Sequence, residues 1–168
     1  MKRALRGSGM ADNLLIITWV HVALSVIMLV AGIVVVRGLM RGHDSGGWTT
    51  VFLVTAIGTN AGAFAFPFVK LLPSHVTAII ALVLLAVTLL ARHAFALAGS
   101  WRWIYAVGLT FTLFFDVFVL VAQAFGKIPA LHRLAPTQSE PPFAVVELVA
   151  LAVFVVLAVM AGRRFDRA

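Results

Sequence analysis

No cysteine occurs in the 168 residues. This excludes disulfides, thiolate metal sites, thiol redox chemistry and covalently attached c-type haem. Charge is scarce too, at 11% of residues, where a soluble domain carries about 25%. Acids are the scarcest, six against thirteen bases, and tyrosine occurs once. A water-facing surface cannot be built from so little charge. With 62% apolar residues and a mean hydropathy of +1.08, most of the surface must face lipid, and an integral membrane protein is expected. The formal charge of +7 would suggest nucleic acid in a soluble protein. Here the bases stand at the ends of apolar runs, where cations anchor to headgroups. The expected partner is therefore the lipid bilayer, with no nucleic acid.

Five apolar runs, about 13–37, 49–69, 75–98, 101–125 and 142–162, divide the chain. They predict an all-α polytopic membrane bundle of five transmembrane spans, one membrane domain over 1–168. The basic start (Lys2, Arg3, Arg6) before Leu14–Val36 resembles a signal peptide. The run is too long for one and lacks a small-residue cleavage site, so a retained first helix is expected. The second run carries Gly58-x-x-x-Gly62, a spacing that lets helices approach closely, and Pro67, which is expected to kink it. Ser74 and Ser100 are candidate caps for the third and fourth helices. Ser139, followed by Glu140 and two prolines, is the candidate cap for the last. The longest connection is GKIPALHRLAPTQSEPP.

Five spans place the termini on opposite sides. Trp48, Trp101, Trp103 and Tyr105 then share one face, as an interfacial aromatic belt requires. That face carries seven bases and the other six, which decides no orientation. Counted from Met10 the tally is seven against three, which puts the C-terminus on the cytoplasmic side.

The polar residues inside the spans cluster by depth. From the face bearing the N-terminus and the long loop, His21 lies roughly 12 Å in, and Asn60 and Asp116 each roughly 15 Å. Glu147 lies roughly 8 Å in, Gln123 about 5 Å, and His75 at the surface. Five polar groups from four helices thus fall in one half of the membrane. Gly108, Thr112, Asp116 and Gln123 lie on one helical stripe, as do Thr18, His21, Ser25 and Gly32. The pattern predicts a polar column, His21, Asn60, Asp116, Gln123 and Glu147, opening toward the long loop, with His75 and His132 at its rim. A carboxylic acid deep in a span is a functional candidate by default. The plainer reading is interhelical glue worth roughly 1 kcal/mol, and Glu147 is shallow enough to snorkel to the headgroups.

Cofactor readings fare worse. His75 and His93 share a helix face but stand roughly 27 Å apart. A haem with two histidine ligands needs a partner at matching depth, and His93 has none within the spans. His21 is deeper than His75 by about 12 Å, although His132 could reach His75 from the loop. A metal site from His21, Asp116, Glu147 and His75 has suitable ligand types but scattered depths. No metal and no cofactor is expected. His43-Asp44-Ser45 names triad residues in a row, yet sequence neighbours cannot converge as a triad does, and the segment reads as a loop.

The segments LLPSH, GSWRWIY and FGKIPALHRLAPTQSEPPF resemble a group of small bacterial inner-membrane proteins with no assigned function. The resemblance implies a multi-pass protein of the bacterial inner (plasma) membrane. It implies no activity and carries over no catalytic residue. Three functions stay open. The chain could move protons or a small solute through a polar half-channel centred on Asp116. It could be a structural or accessory subunit whose polar residues only hold helices together. It could be a haem- or quinone-dependent enzyme. The small bundle and its small-residue faces predict a homo-oligomer or a membrane partner subunit.

Overall fold

The computed structural model describes residues 2–65 and 73–167. Every regular element among them is helical: α1 Lys2–Leu39, α2 Gly47–Gly62 with a 3-10 turn Ala63–Ala65, α3 Pro73–His93, α4 Trp101–Lys127, α5 Pro129–Leu134 and α6 Pro141–Asp166. Within these, Asp12–Leu39, His75–His93, Trp101–Lys127 and Pro141–Asp166 are long and apolar enough to cross a membrane. α2, at 16 residues, spans roughly 24 Å, short of the ~30 Å hydrocarbon core. The remainder of the second apolar run, with Pro67 and its expected kink, lies outside the described residues, as does the side chain of Ser74.

α4 is the hub. It packs against α1, α3 and α6, while α2 packs on α1 and α3. Half of the most apolar stretch of α4 is buried, against 17% for α6, which lies at the edge of the bundle. Small residues make the seams. Gly32 of α1 faces Leu113 and Phe52, and Gly108 of α4 faces Thr88. The Gly58/Gly62 pair of α2 lies toward Leu24 and His21 of α1, which is the close approach that its spacing predicts.

Ring contacts fix the two ends of the bundle. Tyr105 packs on Phe165 at one end, and Phe125 on Phe143 at the other. Phe95 and Trp101 stack at 3.8 Å across the α3–α4 turn. Ala96 and Leu97 take positive φ there, a left-handed conformation that β-carbon sterics disfavour.

Two local expectations are corrected. α6 starts at Pro141 with Glu140, not Ser139, as its N-cap, because the two prolines occupy the first helical positions, where no N–H is needed. Ser139 instead has its hydroxyl against Thr137. The Glu140 carboxylate turns back to accept from Thr137 and from the Ser139 N–H. Ser100 does precede α4 but makes no side-chain cap bond. The long connection is not wholly irregular, since α5 folds back against α4.

Candidate functional site: a polar cavity at Asp116

α1, α2, α3 and α4 enclose a cavity of about 60 Å³. Its polar lining is His21 and Ser25 of α1, Thr59 and Asn60 of α2, Thr77 of α3 and Asp116 of α4. Met28, Ala78 and Phe115 supply apolar wall. Asp116 is buried, and the Ser25 hydroxyl donates to its Oδ1 at 2.6 Å. Ser25 follows His21 by four residues, so both project from one side of α1. Asn60 donates its side-chain amide to the Ala56 carbonyl of its own helix at 2.8 Å. The Thr59 hydroxyl is buried and has no hydrogen-bond partner among the described residues. Such a group is normally satisfied by ordered water or an ion.

Three of the five residues of the expected polar column therefore meet: His21, Asn60 and Asp116. Gln123 does not join them, being exposed near the end of α4. Glu147 is buried, yet it stands on α6 and does not line the cavity. Neither of its oxygens has a hydrogen-bond partner among the described residues. The two rim candidates are separated by environment. His75 is buried with its ring 5.6 Å from that of Phe64, whereas His132 is exposed on α5. Among the described residues no three His, Asp or Glu side chains converge as a metal site. Ser25 stood on the polar stripe read from the sequence. Thr59 and Thr77 were missed, because threonine is unremarkable in a membrane helix and only packing shows which ones face a void.

A second polar cluster closes the opposite end. Arg92, in the last turn of α3, pairs with Asp44 of the α1–α2 loop at 2.6 Å and donates to the Tyr105 hydroxyl. Tyr105 also donates to Asp44 Oδ2 at 3.0 Å. The other Asp44 oxygen accepts from Thr49 Oγ1 and the Gly46 N–H. Burial pushes the Asp44 carboxyl up, but these donors and the Arg92 charge prevail and hold it below its ordinary value. The loop at residues 43–45 thus supplies an acid to a cluster whose other members come from α2, α3 and α4. The cluster's signal was one acid in the first loop facing one arginine and the single tyrosine at the same membrane face.

Between the two clusters each helix turns apolar. Phe52, Leu85 and Leu109 are almost fully buried there. The threonines at this level, Thr55, Thr88 and Thr112, donate to carbonyls of their own helices. The polar cavity is thus a pocket in one half of the bundle, with packed side chains beneath it.

Comparison of the chain with protein-family models, curated proteins and solved structures finds no match.

Proposed function

We propose that this protein carries protons across the membrane through a hydrated half-channel that ends at Asp116. The observation that carries the reading is a buried carboxylate, bonded by Ser25, in a four-helix polar cavity that also holds the Thr59 hydroxyl, which has no hydrogen-bond partner among the described residues. Size narrows the cargo. About 60 Å³ holds a few waters at roughly 10–15 Å³ each, whereas pockets for organic ligands run to about 300–1,000 Å³. A water chain, and protons moving along it, fits where a larger solute does not. The plug of Phe52, Leu85 and Leu109 stops free leakage, so transfer requires the bundle to shift.

The reading includes five crossings. α3 meets the α1–α2 loop at its far end through Arg92–Asp44, and the end of α2 at its near end through His75–Phe64. The chain between Asp44 and Phe64 therefore runs alongside α3 from the level of Arg92 to that of His75, roughly 26 Å. A bacterial inner-membrane setting, with the C-terminus cytoplasmic, rests on the resemblance and the basic tally. Association with further copies or a partner subunit rests on the small size of the bundle, since its glycine seams are filled within the chain.

The test is proton flux in liposomes under an imposed potential. Wild type should conduct, Asp116→Asn should not, and Ser25→Ala should conduct more slowly, all three remaining folded. One observation favours a second reading, a structural subunit: Ser25–Asp116 is itself an interhelical bond of the kind that locks membrane helices. No flux in the wild type, with a thermally silent Asn variant, would establish that reading instead.

A further inference from the structure

At the arginine-rich end, α1, α4 and α6 leave a cleft of about 490 Å³ open at the surface of the bundle. Its walls are apolar: Ile33 and Val36 from α1, Leu113 from α4, Phe154 and Leu157 from α6. Its rim is basic, formed by Arg37, Arg41 and Arg164. No acidic side chain lines it, and Asp44, the acid nearest in sequence to Arg41, is engaged by Arg92. The Arg164 guanidinium is held at the rim by donating to the Met40 carbonyl at 3.1 Å.

Arginines in the last turns of α1 and α6 complement the helix dipoles, and that alone would account for their presence. It does not account for an apolar slot beneath them. From its end at Leu39 back to Ile33 the cleft runs roughly 9 Å along α1, and from Arg164 back to Phe154 roughly 15 Å along α6. The longer depth is about half of a ~30 Å hydrocarbon core, the thickness of one leaflet.

We infer that this cleft binds one anionic phospholipid, an acyl chain lying along Ile33, Leu113, Phe154 and Leu157 and its phosphate held by Arg37, Arg41 and Arg164. Charge complementarity selects this occupant. A zwitterionic lipid offers a phosphate too but brings its own cationic group against the arginines, while basic pockets between membrane helices hold anionic headgroups. The site lies at the opposite end from the Asp116 cavity and does not depend on its function.

The experiment uses the full chain in mild detergent, titrated with phosphatidylglycerol or phosphatidylcholine and read by native mass spectrometry. Wild type should retain one phosphatidylglycerol per chain and bind phosphatidylcholine at least about tenfold more weakly. The triple variant Arg37→Gln, Arg41→Gln, Arg164→Gln should lose that preference. Leu157→Trp fills open space, leaves the arginines in place and should also lose the bound lipid. Arg163→Gln with Arg167→Gln, bases outside the cleft on the same face, should change nothing. Equal retention of the two lipids by wild type, retention of phosphatidylglycerol by both cleft variants, or equal loss in the control would overturn the inference. So would displacement by inorganic phosphate, which marks a simple anion site, or a wild-type dimer that Leu157→Trp dissociates, which makes a second copy the occupant.

Discussion

Asp44 shows how one residue can hold an end of the bundle together. Its carboxylate accepts from Thr49, the Gly46 N–H, Arg92 and Tyr105, tying the α1–α2 loop to the ends of three helices. These partners keep its folded-state pKa below the ordinary value of 3.8. A depressed carboxyl adds stability that is complete above the unfolded value and lost as pH falls through the folded one. Asp44→Asn should therefore lower the thermal midpoint at pH 7, and the gap to wild type should close below pH 3.8. Arg92→Gln should cost about 1–2 kcal/mol at neutral pH, a charge-assisted bond at a partly exposed site. Thermal unfolding of both variants in detergent across pH checks this. A gap that stays constant down to pH 2 would remove Asp44 from the stability account.

The elements are joined where side chains are smallest, and α4 depends on this most. A Cβ added at Gly108 would run into the Thr88 hydroxyl, and a β-branched side chain cannot easily turn away. Gly108→Ala should destabilise by about 1–3 kcal/mol, and adding Thr88→Ala should recover much of it, a non-additivity expected of residues in contact. Additive losses in the double variant would show that the α3–α4 seam lies elsewhere. This scale also separates what could be read in the sequence from what could not. Hydropathy set out the helices, and depth along the spans brought His21, Asn60 and Asp116 together, because both follow from the helical rise alone. Gln123 shares the stripe of Asp116 by spacing, yet two turns further along α4 that side chain is exposed. Glu147 has the right depth but stands on α6, which packs on α4 outside the cavity. Depth is local information, whereas the neighbour of a given face is set by the packing of the whole bundle. The Asp44 cluster was hidden for the same reason. Arg92 and Tyr105 stand 48 and 61 residues from Asp44, and nothing in the loop itself announces them.

At the scale of the whole molecule, the two halves of the bundle have opposite characters. One end holds a polar cavity, the other an ion-paired seal with a basic rim, and packed apolar side chains lie between them. A proton pathway needs that asymmetry, with water on one side of the acid and a closed wall on the other. Purely structural polar contacts do not require it. Because the chain has no native cysteine, single cysteines report sidedness cleanly. Placed at position 43 or 100 they mark the face of the ion-paired seal, and at position 139 the face of the long loop. The decisive measurement is the reactivity of Asp116→Cys toward silver ions added to one side of oriented proteoliposomes, with Thr59→Cys as a second reporter in the same cavity. Asp116→Cys and Thr59→Cys should react from the side that labels position 139 and be protected from the side that labels positions 43 and 100. Inertness of both cysteines from either side, or reaction from the side of position 43, would contradict the half-channel.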